Sequence, residues 1–260
     1  MLRTFRYACL FCMAPMQLLA QYNTSVLPPC AGAGSVFHNP AMTAHGDSAF
    51  ELFFHHRSPL MLKPLSESMF GTAFRISKYN YLSFGIRYSG YSLYNRSSGA
   101  LAMANRLTPS LTAAVRFDVH HVAQGGDYGN ASSWTGSCGV YWSLTKSLSA
   151  GISIQNPTRT KLGDIRTNSL TISSIQWSIN NKSSLWLGAS KEGPYPMSYQ
   201  IRIDYHPLDV LMLQAGVSSG FEPFCMGFAF HKPKFDFGIY SSYHELLGFS
   251  PGAFFRIRKI

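Results

Sequence analysis

The chain has 260 residues, of which 46% are hydrophobic, 14% aromatic and only 13% charged, with a formal net charge of +10. No apolar run reaches the roughly 18 residues that a membrane-spanning helix needs, so a chain of this kind would cross a membrane only as a closed β-barrel. Lys and Arg are scattered without a run or stripe, which disfavours the nucleic-acid binding that a basic protein suggests.

Residues 1–20 have the pattern of a secretory signal peptide. Arg3 and Arg6 give a positive start, residues 8–16 an apolar centre, and Ala20 a small residue at a plausible cleavage site. The apolar part is too short for an anchor helix. We therefore predict that the mature chain begins after Ala20.

The mature chain would keep three cysteines, Cys30, Cys138 and Cys225. An odd number in an oxidising compartment argues against a disulfide framework. Alternation along the sequence places Cys138 and Cys225 on opposite faces of their strands, so we predict free thiols.

Residues 21–47 form the only long stretch without alternation and are rich in Gly, Ala and Pro. One interpretation is a linker. The other, which we favour, is a plug in the barrel mouth, because Gly and an Asn-Pro turn allow close backbone packing. The plug motif consists of Gly32, Gly34, Asn39, Pro40 and Ala41.

Residues 48–260 are predicted to form a transmembrane antiparallel up-and-down β-barrel, an all-β fold. The clearest hairpin is Met197–Val217, whose two strands each alternate apolar and polar residues around the turn 206–209. Fourteen strands are predicted, an even number as expected of such barrels: 48–57, 68–77, 81–91, 98–107, 110–121, 134–143, 147–155, 168–178, 183–190, 197–205, 210–218, 222–231, 234–243 and 251–258.

The connections alternate in length, which indicates the direction of the strands. Six are short, whereas most of the others are longer, such as 58–67, 92–97, 122–133 and 156–167. Outer-membrane barrels have short periplasmic turns and longer outer loops. We therefore predict a Gram-negative outer-membrane protein with both chain ends in the periplasm.

One face of the strands is apolar, as expected for contact with outer-membrane lipid, and the other carries charges. Six cations and four anions in a narrow barrel should pair with one another or with the plug. We predict that they form a lumen charge network that leaves little open bore: Glu51, Arg75, Arg87, Arg116, Asp118, Arg202, Asp204, Asp236, Arg256 and Arg258.

The residues predicted for the mature chain contain no nucleophile elbow, P-loop, H-E-x-x-H or C-x-x-C motif. Two His-His pairs lie at strand ends, but neighbouring strand residues point to opposite faces, so each pair offers one inward imidazole at most. We predict no enzyme, no cofactor and no metal site.

The segment from Gly32 to Ala41, GAGSVFHNPA, resembles the N-terminal Asn-Pro-Ala signature of FadL-like outer-membrane barrels. Together with the C-terminal run from His206 to Ile257, it is most similar to the branch that serves type IX protein secretion, the PorV/PorQ-like proteins. The resemblance implies fourteen strands, a plugging N-terminal segment, and outer loops that hold a cargo protein.

The leading functional prediction is a non-enzymatic accessory of type IX secretion or envelope assembly that docks other outer-membrane or secreted proteins. Alternatives are a FadL-like transporter of small hydrophobic molecules, an accessory subunit of the barrel-insertion machinery, and a soluble secreted binding protein. Arg202 and Asp204 distinguish the first two: pairing across the lumen with Asp236 or Arg256 favours docking, and open space beside them favours transport.

Overall fold

The computed structural model describes residues 31–45, 48–125, 129–163, 165–220 and 222–259. The predicted signal peptide and Cys30 lie outside these residues. Sixteen strands are present in them, as follows: β1 Phe50–Arg57, β2 Glu67–Arg75, β3 Asn80–Tyr91, β4 Tyr94–Arg106, β5 Leu111–Gln124, β6 Asn130–Ser143, β7 Leu148–Gln155, β8 Lys161–Leu162, β9 Ile165–Arg166, β10 Leu170–Asn180, β11 Ser183–Glu192, β12 Ser198–Leu208, β13 Leu211–Ser218, β14 Phe224–His231, β15 Phe235–His244 and β16 Gly248–Lys259.

Fourteen of these strands close into one antiparallel barrel. Each strand pairs with its neighbours along the chain, β7 pairs with β10, and β1 closes the ring on β16. The remaining two, β8 and β9, form a small hairpin inside the connection between β7 and β10. The predicted barrel and its strand number are confirmed.

Alternation sorts the side chains as a barrel requires. On β12, Ile201 and Ile203 are 45% and 52% exposed on the outer surface, whereas Arg202 and Asp204 between them are 8% and 7% exposed. The same alternation puts Cys138 on the exposed face and leaves Cys225 half-buried, and both are free thiols as predicted. None of the helices in the described part has the length and apolarity to span a membrane.

Two predicted loops are much shorter in the structure. The strands β3 and β4 pair up to Tyr91 and Tyr94, and β5 and β6 pair from Ala123 and Asn130 onward, so 92–97 and 122–133 are largely strand. Their outward positions are polar, Asn95 and Ser97 for example. The hydrogen-bonded ladder therefore continues beyond the apolar band that the sequence pattern detects.

Candidate functional site

Residues 31–45, called the plug segment below, form two short 3-10 helices, Gly32–Ser35 and Pro40–His45. Nearly all of these residues are buried, and the two helices contact β1 to β6. The hydroxyls of Ser35 and Thr43 each donate to the carbonyl three residues earlier, at 2.7 Å. This closes two tight turns within a sequence that has no regular pattern.

Inward side chains of the barrel hold the plug segment by its backbone. The carboxylate of Glu51 accepts a hydrogen bond from the N–H of Ala33 at 3.0 Å, and Arg116 donates to the carbonyl of Val36 at 2.6 Å. Further carbonyls of the segment accept from Arg256 (Ala31, 3.1 Å), Gln155 (Phe37, 2.9 Å), Ser153 (His38, 2.7 Å) and Arg106 (Ala44, 2.9 Å). The polar lumen thus satisfies the backbone of an irregular buried segment.

Asn39 reaches the barrel wall itself. Its Nδ2 donates to the carbonyl oxygens of Val140 and Ile152 at 3.1 and 3.4 Å, while its Oδ1 accepts from the N–H of Ala41 at 3.0 Å. A Cβ at Gly139 would lie 2.2 Å from Oδ1, so this approach requires glycine there.

The other members of the predicted plug motif are also buried. Pro40 and Ala41 begin the second 3-10 helix, and Gly34 lies in the first. Gly32 has a φ of +83°, and a Cβ there would meet the Glu51 carboxylate at 2.2 Å. Both facts explain glycine at position 32. That the segment acts as a plug stays a prediction.

Two ion pairs of the predicted charge network each join two residues of the same strand. Arg116 bonds Asp118 at 2.7 Å on β5, and Arg202 bonds Asp204 at 2.9 Å on β12. Arg202 also stacks over the ring of Trp186, 5.3 Å from its centroid. Arg202 and Asp204 therefore bond each other along one strand, an arrangement that the sequence prediction did not consider.

Asp236 is the centre of a third cluster. It is fully buried and accepts from Arg256 at 2.6 Å, Arg258 at 2.6 Å and His231 at 3.0 Å. Glu51 joins through Arg256 at 3.9 Å.

Two predicted members of the lumen charge network, Arg75 and Arg87, do not belong to these buried clusters. Arg75 is exposed, because β2 ends there and turns toward β3. Arg87 is half-buried, lies 3.3 Å from Glu67 and stacks over Phe37 at 4.5 Å.

The sequence reasoning missed Arg57 and Glu222, which form a buried ion pair that Ser242 joins through a hydrogen bond of 2.6 Å to Glu222. Arg57 lies on the same face of β1 as Glu51, so strand alternation could have identified it as an inward charge. Glu222 begins the predicted strand 222–231 on the outward parity of Phe224, which is wrong for this residue: β14 begins only at Phe224, so Glu222 lies in the connection after β13 and is buried.

His38 lies in the plug segment among cations. Burial, and then the charges of Arg87 and Arg116, lower the pKa of His38 from 6.5 to about 3. Its imidazole is neutral near pH 7.

A polar chamber lies between the plug segment and the connection that carries β8 and β9. It is lined by Arg96, His120, Ser133, Thr167 and others, and its volume of about 30 Å³ suits one or two water molecules. Asn156 orders the connection by bonding Thr160 and Thr167.

A second, larger cavity opens on the outer surface of the wall. This wall cleft, of about 490 Å³, spans β4 to β7 and is lined mainly by apolar side chains. Its floor includes Gly139 and Ser153, which contact Asn39 and His38 of the plug segment from the inside. One layer of backbone separates the wall cleft from the plug segment. The lining residues are Met103, Asn105, Ala113, Ala114, Val115, Cys138, Gly139, Val140, Ile152, Ser153 and Ile154.

No family model and no curated protein matches the chain. Solved structures do match, at low identity. The toluene transporter TbuX of Ralstonia pickettii is 10% identical, with a TM-score of 0.65 over 88% of this chain and 94% of that one. The toluene transporter TodX of P. putida is 9% identical, with 0.66 over 87% and 92%. A FadL homologue of Pseudomonas aeruginosa is 10% identical, with 0.58 over 91% and 95%.

These matches establish a FadL-like barrel fold. They do not support the PorV/PorQ-like branch as the nearest type, and the predicted role in type IX secretion is wrong, because the matching structures are described as transporters and channels for hydrocarbons. The short N-terminal signature was not enough to identify a branch.

Proposed function

We propose that this chain is a non-enzymatic outer-membrane barrel that takes up small hydrophobic molecules. The fold it shares with TbuX and TodX supports this proposal, and so does its outer surface. Apolar side chains face outward around the barrel, as contact with lipid requires. We place the short turns and both ends of the barrel on the periplasmic side.

The wall cleft is the observation that carries the proposal. An engineered apolar cavity of about 150 Å³ in another protein binds benzene, so a cleft of about 490 Å³ has room for a monoaromatic molecule. Because Val115, Val140 and Ile152 line the wall cleft, it offers apolar contact and almost no hydrogen-bonding groups. A molecule dissolved in the membrane would find its site there without crossing water.

The way from the wall cleft to the lumen passes the plug segment. Gly139 has no side chain, so only backbone lies between the wall cleft and Asn39. Asn39 holds the carbonyls of Val140 and Ile152, one on each of the adjacent strands β6 and β7. We propose that the structure is the closed state and that transfer requires Asn39 to leave this position.

Uptake by whole cells tests the proposal, because the lipopolysaccharide layer of a Gram-negative host keeps hydrocarbons from entering freely. The variant Ala113→Trp fills the wall cleft with an apolar side chain. Ala253→Trp is the matched control, because Ala253 faces outward on β16, far from the wall cleft.

We expect Ala113→Trp to lower the initial rate of uptake of radiolabelled toluene severalfold and Ala253→Trp to leave it unchanged. Equal uptake by both variants, with equal amounts of folded protein in the membrane, would contradict a route through the wall cleft.

A further inference from the structure

Two histidines lie together at the short-turn end of the lumen. His206 is near the end of β12 and His231 is the last residue of β14. Their ring centroids are 5.7 Å apart and the ring planes are tilted by 38°. Both side chains are half-buried.

Asp236 fixes the tautomer of His231. The carboxylate of Asp236 also bonds two guanidinium groups, so it is ionised and can only accept hydrogen bonds. Nδ1 of His231, at 3.0 Å, must therefore donate to it, which leaves the lone pair on Nε2. Among the described residues this buried Nε2 has no hydrogen-bond partner. A buried acceptor without a donor is unfavourable.

A proton or a metal ion could occupy this lone pair. A metal ion there could also bond the second imidazole, with the carboxylate of Asp236 behind His231 offsetting part of its charge. With metal–nitrogen bonds of about 2.0–2.1 Å, two imidazoles on one tetrahedral ion have centroids about 5.2 Å apart. The observed 5.7 Å is close to that distance.

We propose that His206 and His231 together bind one transition-metal ion of the Zn²⁺ or Cu²⁺ type. Imidazole suits these metals, and a carboxylate behind the ligating histidine is the usual outer partner. In the described part of the chain no group of three or more His, Cys, Asp or Glu residues could hold a metal ion. Water completes the coordination, and binding is weaker than in a closed four-ligand site.

Zinc binding to the purified full chain in detergent, stripped first with a chelator, tests the site by equilibrium dialysis. His206→Ala and His231→Ala should each lower the affinity of one zinc site by about tenfold or more. His56→Ala and His121→Ala are controls, because these histidines bond Ser68 and Ser132 at exposed positions. They should leave binding unchanged, and Mg²⁺, which prefers oxygen ligands, should not compete.

A second readout does not depend on variants. Zn²⁺ should protect His206, but not His56 and His121, from modification by diethyl pyrocarbonate, as measured by mass spectrometry. Unchanged zinc affinity in both site variants, or equal protection of these three histidines, would overturn the proposal. So would a folded wild-type chain that binds no zinc.

Discussion

At Gly139, the absence of a side chain brings the plug segment into contact with the barrel wall. Asn39 occupies the space that a Cβ would need, and from there it bonds carbonyls of two adjacent strands. The Asn-Pro-Ala signature could be found in the sequence. Its partner Gly139 could not be identified from the sequence. Strand β6 contains both Gly136 and Gly139, and the neighbouring residues do not show which of them contacts Asn39.

We therefore expect Gly139→Ala to destabilise the protein by about 1–3 kcal/mol, since the new Cβ must displace Asn39 or shift the strand. Gly136→Ala is the control on the same strand, because a Cβ there meets nothing within 4 Å. The free energy of unfolding from lipid vesicles, measured with denaturant, checks the difference. Equal stabilities for the two variants would refute the close contact.

Parity along the strands predicted most of the inward charges, including Arg116, Asp118 and Asp236. It failed for Arg75, because alternation does not say where a strand leaves the barrel. It also could not say which charges pair, since partners on one strand compete with partners across the lumen.

Asp118→Ala should cost about 3–5 kcal/mol, because it leaves the guanidinium of Arg116 buried without its counter-charge. The same denaturant titration measures it. Arg75→Gln, which removes an exposed charge, should change stability by no more than about 0.5 kcal/mol. A small effect of Asp118→Ala would show that Arg116 does not depend on its pair.

Among the elements, the barrel strands were predictable, whereas the conformation and partners of the plug segment were not. Period-2 alternation is a direct result of strand geometry, so fourteen strands could be counted, with errors at strand ends. The plug segment has 3-10 turns whose backbone is satisfied by residues from β1 to β16. No local pattern encodes such distant partners.

The stability that the plug segment contributes to the fold should decrease at acidic pH. The pKa of His38 is about 3 in the folded protein and near 6.5 when exposed, so the unfolded form binds more protons between these values. Stability contributed by neutral His38 is therefore present above pH 6.5 and is lost as the pH falls toward 3.

We expect the denaturant midpoint to fall between pH 7.5 and pH 5, and to fall less in His38→Gln, which has no ionisable group at this position. Equal falls in both proteins would contradict a contribution from His38.

The connection after β13 is folded inward by a single carboxylate, Glu222, which is 1% exposed. Glu222→Ala should release it and speed its cleavage by added protease several-fold, since Arg57 loses its partner. Glu245→Ala, in the exposed connection between β15 and β16, should not. If both variants were cleaved at the wild-type rate, Glu222 would not hold the connection.

For the whole molecule, the plug segment inside the barrel and the apolar wall cleft together favour selective uptake over a general pore. Among the described residues, the plug segment, the charge pairs and the small polar chamber occupy the lumen at their level. The route that we propose reaches the lumen from the side, at Gly139. Composition and alternation could predict a filled barrel, but the wall cleft depends on how outward side chains of four strands meet.

The most direct test is the paired uptake of a hydrocarbon and a hydrophilic solute by Gram-negative host cells with and without this chain. We predict severalfold faster initial uptake of radiolabelled toluene when the chain is present, with no change in the entry of a small sugar. Unchanged toluene uptake, or an equal rise for the sugar, would contradict selective uptake of hydrophobic molecules.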